Sequence, residues 1–289
     1  MTISIIGKTD IGKERDQNED AFIICPDLYH PNWELNEAHV DFGPYGTLLV
    51  VADGMGGANA GEVASSLAIE TIKNCFSDPE ITSVVTDEAH IKSFLETSVN
   101  AADEALKHHI TRNPETIGMG TTIVLCWIIK DKAYIAWCGD SRCYVFNPRT
   151  GLKTLTKDHS YVQELIDKGE LTEEKALTHP DSNLITRGLG DFESTAKADT
   201  LIHPIQLNDI FLLCSDGLCG YCSNHSIEKV FKENYHNIRK CCDKLMELAL
   251  EAGGYDNICI AMASVEDETK TQPITQRLKC FFKTLFSGK

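Results

Sequence analysis

The chain has 289 residues, enough for one large domain and a tail, and 42% of them are hydrophobic, enough to bury a sizeable core. A formal net charge of −16 argues against nucleic acid as a partner, because a phosphate backbone calls for clustered Lys and Arg. No apolar run approaches the ~20 residues of a membrane span. Met1–Ile6 lacks the pattern of a secretory leader, and the twelve cysteines are scattered, several on apolar runs, so a reducing, cytoplasmic setting is expected.

In chain order, RDQNED (15–20) precedes a strand-like run, Ala21–Cys25. Residues 27–45 carry Pro, Asn and polar side chains and read as a loop. The run Thr47–Ala52 ends in Asp53-Gly54, and Gly61–Phe76 then takes a helical pattern. From Ile91 the residues Phe94, Leu95, Val99, Ala102, Leu106 and Ile110 keep a 3.6-residue rhythm, which predicts a second helix. Strands follow at Thr121–Ile129, Ala133–Cys138 and Cys143–Phe146, the last two joined by a tight turn, Gly139-Asp140-Ser141. Ile210–Ser215 leads into Asp216-Gly217, Ile238–Ala252 is helical, and Asp256-Asn257 opens the final run, Ile258–Val265.

Strands in adjacent runs with helices paired between them predict an α+β fold. Two mostly antiparallel sheets would stack face to face with helices outside, a four-layer α-β-β-α sandwich over residues 1–265. Residues 266–289 read as a linker and a basic amphipathic tail, with Leu278, Phe281, Phe282, Leu285 and Phe286 on one face and Arg277, Lys279, Lys283 and Lys289 around it. A helix docked on its own domain, a partner-binding helix and a membrane-surface anchor are all open for that tail.

The chemistry resides in carboxylates beside glycine at strand ends. The strand fixes the side chain, and the glycine lets the backbone turn so that metal, water or phosphate can approach. Converging carboxylates make a hard oxygen site suited to Mg²⁺ or Mn²⁺ rather than zinc. Two such ions ~4 Å apart can activate a shared hydroxide and neutralise a phosphoryl group. Arg15, beside the first acidic cluster, could hold phosphate oxygens bidentately. Other readings fit less well. Asp16-x-Asn18-x-Asp20 resembles the start of an EF-hand loop, but Ala21 stands where that loop needs Gly. Gly54, Gly56 and Gly57 lack the Lys-Ser/Thr of a P-loop, and Cys219-x-x-Cys222 has no second pair at zinc-finger spacing.

Taken in order, RDQNEDAF, VVADGMGGANAGEVAS, GMGTTIV, WCGDSRCYVF, LTKDHSYVQELIDKGELT, THPDSNLITRGLG, LLCSDGLCGY and GGYDNICIAM resemble the bacterial-type members of the protein phosphatase 2C family of metal-dependent protein phosphatases. The likeness runs from about Ile5 to Ser264. It implies a β-sandwich flanked by helices and hydrolysis of phosphoserine and phosphothreonine proteins, the substrates of a cognate Ser/Thr kinase. A hydroxide bridging two Mn²⁺ or Mg²⁺ ions would attack phosphorus with no covalent intermediate.

For single positions, the resemblance implies that Asp53 bridges the two metals and that the Gly54 carbonyl joins one of them. Asp216 and Asp256 would bind one metal, Glu19 would support the other, and Asp20 would position water. Arg15 would clamp the substrate phosphate, and Asp140 with Asp216 would hold a third, weaker metal. Residues from His159 to Gly190 match a flap that shapes access. Met55 stands where animal members carry a His that protonates the leaving group. Water, His159 and His179 are therefore the candidate general acids. The alternative reading is a catalytically weak phosphatase-like signalling or binding module.

Overall fold

A computed structural model describes residues 1–56, 60–79, 81–190 and 196–266. The first part of the chain forms strands β1 (Thr2–Asp10), β2 (Asp20–Cys25), β3 (Glu37–Asp41) and β4 (Thr47–Met55), then helices α1 (Ala60–Ser77), α2 (Ile81–Val84) and α3 (Glu88–Arg112). Strands β5 (Gly120–Thr121), β6 (Ile123–Ile129), β7 (Lys132–Cys138), β8 (Arg142–Asn147) and β9 (Gly151–Thr154) follow. After helices α4 (Tyr161–Asp167) and α5 (Glu173–Ala176) come β10 (Leu189–Gly190), β11 (Asp199–Pro204) and β12 (Ile210–Cys214). Helices α6 (Asp216–Cys219), α7 (Asn224–Asn234) and α8 (Ile238–Glu251) lead to the last described strand, β13 (Ile258–Glu266).

One sheet has the order β3-β1-β13-β12-β8-β9. The other runs β10-β5-β4-β6-β7-β11, with β2 on the remaining edge of β4, and its pairings are antiparallel like those of the first. Alternation along the central strands assigns each face. Leu49 and Val51 of β4, Val124, Cys126 and Ile128 of β6, Phe211 and Leu213 of β12, and Cys259, Ala261 and Ala263 of β13 fill the space between the sheets. The opposite faces of β4 and β6 pack on Ala64, Ala68, Ile72 and Phe76 of α1 and on Leu95, Val99 and Leu106 of α3. The opposite faces of β12 and β13 pack on Ile227 and Phe231 of α7 and on Cys241, Cys242 and Leu245 of α8. The predicted four-layer sandwich is therefore what the chain forms. Because both faces of these strands are buried, they read as unbroken apolar runs instead of alternating ones.

Several elements differ from expectation. The loop over 27–45 contains β3, an edge strand paired to β1. The strand expected at Thr121–Ile129 is split at Thr122, whose hydroxyl takes the N–H of Asp53 (3.2 Å) in place of a backbone partner. β1 itself, which the apolar pattern did not mark, is a nine-residue strand between β3 and β13. The described cysteines are all free, and Cys219 and Cys222 are buried in the layer beneath α8, so their spacing reflects packing. No described helix is long and apolar enough to cross a membrane. The amphipathic tail lies outside the described residues, as does Gly57.

Candidate metal centre

The sandwich brings five aspartates to one end of its strands. Asp20 and Asp53 sit opposite each other across the β2–β4 ladder. Asp53 is held by Thr122, whose N–H donates to its carbonyl (2.8 Å), and by Thr121, whose hydroxyl donates to the same oxygen (2.8 Å). Asp140 is in the β7–β8 turn, Asp216 is the first residue of α6 directly after β12, and Asp256 stands just before β13. Gly139 takes φ +123° in that β7–β8 turn, and a side chain there would run into Thr122.

The carboxylates act on one another. Burial pushes the Asp53 carboxyl well above the ordinary range, and the charges of Asp20, Asp216, Asp140 and Asp256 push it further. Burial likewise raises Asp140, with Asp216 and Asp158 adding to it. Asp216 is pushed up to about 6, by burial first and then by Asp256, while a hydrogen bond with Asp53 partly offsets the rise. Asp20 is raised by burial, although the Ser215 hydroxyl donates to it (2.7 Å) and works the other way.

Glu19 is placed differently. Its backbone N–H donates to the Asn257 amide oxygen (2.8 Å), and its carbonyl accepts from Gly54 (3.2 Å). Its carboxylate faces the start of α1 and accepts from Gly61, where a helix N-terminus favours negative charge. A Cβ on Gly61 would sit 2.6 Å from the Glu19 carboxyl carbon, and one on Gly54 would strike the Gly61 carbonyl. The two glycines thus let strand β4, helix α1 and the Glu19 loop close on each other. Arg15 pairs with Asp256 (2.7 Å) instead of standing free for phosphate.

Two further residues organise the centre. Asn257 accepts the Glu19 N–H and donates to the carbonyls of Ile11 (2.9 Å) and Gln17 (2.9 Å), which ties the whole 11–19 loop to the start of β13. Ser215 donates to Asp20 and accepts from the Cys259 N–H (2.9 Å), joining β2 to β13. Both stand next to a carboxylate in the sequence, and that adjacency was the available signal.

The flap rises between Ser160 and Ile185, which form a bridge at its base, and carries α4 and α5. At its root Arg142 grips Asp158 with three bonds (2.9, 3.1 and 2.7 Å) and also reaches the Tyr144 hydroxyl (3.1 Å). Arg187 pairs with Asp199 (3.2 Å). His159 is buried and stacked on Trp137, its Nδ1 accepting from the Gly139 N–H (3.1 Å) and its Nε2 facing Asp199 (3.2 Å). One ring nitrogen thus braces the Asp140 turn, and the other faces Asp199 at the start of β11. Burial lowers its pKa. His179 lies in the flap and is less confined. Its Nδ1 accepts from the Asp181 N–H (3.1 Å), which leaves the proton of the neutral ring on Nε2.

Between the flap and the α6–α7 segment lies a cleft of about 610 Å³ that begins at Asp140 and Asp216. Tyr221 lines it and is packed at 5.5 Å on Tyr255, the residue before Asp256. Burial raises the Tyr221 hydroxyl, and Asp216 and Asp256 raise it further, so it stays neutral.

Among the described residues, no three His, Cys, Asp or Glu side chains form a ready-made coordination shell. The donor set nevertheless suits hard divalent cations: it is all oxygen, buried and under mutual repulsion that a cation would relieve.

Comparison with known proteins agrees. The family model described as "Protein phosphatase 2C" matches residues 9–258. A serine/threonine phosphatase stp of Listeria welshimeri is 35% identical over 215 residues, covering 74% of this chain and 83% of its own. The crystal structure of Stp1 from Staphylococcus aureus superposes with a TM-score of 0.78 at 33% identity, covering 91% of this chain and 95% of the other. The catalytic domain of the phosphatase PstP, solved with two manganese ions, gives 0.73 at 29%, covering 92% and 100%.

Proposed function

The chain belongs to the protein phosphatase 2C family of metal-dependent serine/threonine protein phosphatases, and from that premise we propose how its own residues carry the reaction. Two divalent cations, Mn²⁺ or Mg²⁺, would be held by Asp53, Asp216 and Asp256 with the Gly54 carbonyl, and a third by Asp140 with Asp216. The observation that carries this reading is the convergence at one end of the sandwich of four mutually repelling aspartates, Asp20 and Asp140 buried and Asp53 and Asp216 half-buried. The two manganese ions in the PstP structure support the number and the class of cation.

When bound, the cations supply Lewis acidity to the phosphoryl oxygens and an ionised water for in-line attack on phosphorus, with no covalent intermediate. The protein's residues do the rest. Asp20, held by Ser215, orients water at the edge of the cluster. Glu19 holds its carboxylate on the α1 N-terminus and sets the height of the Asp20 strand, a supporting role consistent with its bonds to Gly54 and Gly61. Arg15 exchanges Asp256 for a phosphate oxygen as substrate arrives, since the guanidinium is half exposed and the pair is open to solvent. The leaving seryl or threonyl oxygen takes its proton from water in the cleft or from His179 in its imidazolium form.

The substrates are phosphoproteins made by a cognate Ser/Thr kinase. The test is release of phosphate from a phosphothreonine peptide and from a matched phosphotyrosine peptide, with Mn²⁺, Mg²⁺ or EDTA. Metal-dependent release from the first is expected. No release under any metal would favour the alternative, a phosphatase-like binding module.

A further inference from the structure

Tyr221 and Tyr255 are exposed to 41% and 54%, yet their rings are 5.5 Å apart at 43°, a packed pair at the surface. Large exposed aromatics that hold a fixed arrangement are unusual on a surface with nothing to contact. Tyr255 is fixed by its backbone. Gly253 (φ +132°) and Gly254 (φ +59°) precede it, and a Cβ on Gly253 would collide with the Tyr255 ring, so the ring packs against that glycine. Tyr221 follows α6, which Asp216 begins, and it lines the 610 Å³ cleft together with Asp216. The pair therefore bridges two sides of the centre, the Asp256–Arg15 rim and the cleft under the flap.

We propose that the Tyr221–Tyr255 pair is a specificity-determining surface that receives a ring-bearing side chain, aromatic or prolyl, within two residues of the phosphorylated Ser or Thr. The inference rests on the phosphatase reading above and deepens it by naming a substrate class. The occupant follows from continuity with the site. A phosphoresidue seated at Asp53 and Arg15 would bring its flanking residues toward these rings, because Tyr255 adjoins Asp256, which Arg15 pairs with, and Tyr221 lines the cleft with Asp216. Offset or edge-on ring contacts add roughly two- to twelve-fold in affinity beyond area burial. Both tyrosines are positioning residues and touch no reacting atom.

The test uses the full chain with Mn²⁺ and three substrates: a phosphothreonine peptide flanked by Phe or Pro, the same peptide flanked by Ala, and para-nitrophenyl phosphate. The wild type should favour the ring-bearing peptide about five-fold or more in kcat/KM, through KM. Tyr221→Ala and Tyr255→Ala should erase that preference, and Tyr221→Phe and Tyr255→Phe should retain it. Equal hydrolysis of both peptides by the wild type would overturn the proposal. So would Ala variants that lose activity on all three substrates in equal proportion. If none of the three is hydrolysed with Mn²⁺ or Mg²⁺, the phosphatase reading itself fails and this proposal falls with it.

Discussion

Two neighbouring regions of this molecule treat charge in opposite ways. Around Asp53, carboxylates from β2, β4, the β7–β8 turn and α6 face one another and raise one another's proton affinity. At the root of the flap, each charge meets its opposite: Arg142 with Asp158, and Arg187 with Asp199, which also faces His159. The flap root is thus stable as it stands. The centre is left under a repulsion that a proton or a bound cation would relieve, and this difference separates the two regions.

The sharpest way to break the comparison is to remove one charge from each side. Asp53→Asn and Asp216→Asn should lower kcat by more than about a hundred-fold, since even groups that only orient metal ligands are worth ~10–100-fold. Near-normal turnover by either variant would sink the metal assignment. In the metal-free protein the same substitutions should raise the melting temperature, because they relieve repulsion. Arg142→Met should do the reverse, leaving Asp158 buried without its partner at a loss of about 3 kcal/mol in urea unfolding. If Arg142→Met proved neutral, the flap root would not be the paired scaffold described above.

A smaller effect is expected at Asn257. Asn257→Ala strands the Glu19 N–H and two loop carbonyls, for a loss of about 1–3 kcal/mol. Metal affinity, read by calorimetric titration, should weaken about ten-fold or more as the 11–19 loop loosens. Unchanged affinity would limit Asn257 to a folding role.

The gentlest test is pH after chelation. Asp216 titrates near 6 in the fold against ~3.9 unfolded, so its stabilising contribution is present in acid and fades as pH rises through 6. His159 has the opposite sign: its pKa lies below the usual ~6.5, so its contribution is present above that value and lost as pH falls. Hydrogen exchange, corrected for intrinsic rates, should show the β2–β4 ladder better protected at pH 5 and the flap root better protected at pH 7.5. Restoring Mn²⁺ should raise the melting temperature more at pH 7.5 than at pH 5. A uniform response of both regions to pH would erase the distinction.

Much of this was legible in the sequence, for a physical reason. Strands buried on both faces, such as β4, β6, β12 and β13, are continuous apolar runs, and Asp53 and Asp216, at the ends of β4 and β12, each stand beside a glycine that allows close approach. Edge strands were not legible. β3 (EAHVD) and β11 (DTLIHP) bury little, so their patterns resemble loop. β1 mixes Thr, Ser and Lys among its isoleucines because Ser4 faces outward and its C-terminal end leaves the core. Pairings such as Arg142 with Asp158, or Asn257 with the carbonyl of Ile11, join residues whose meeting depends on the whole fold. No local pattern announces them. The commitment of His159 to Asp199 escaped notice for the same reason.

The β1–β13 ladder sets Asp10 opposite Ile258 at one end and Thr2 opposite Glu266 at the other. At a rise of ~3.3 Å per residue, about 26 Å separates those ends. The aspartate cluster lies toward one pole of this ribbon, and Thr2 and Glu266 occupy the other. A fusion partner, a tether or a neighbouring module joined before Thr2 or after Glu266 would therefore leave from the pole remote from the aspartates. The same adjacency makes the domain a natural subject for circular permutation: a short bridge from Glu266 to Thr2, with new ends opened in the exposed stretch around Pro31, should yield an enzyme that still turns over.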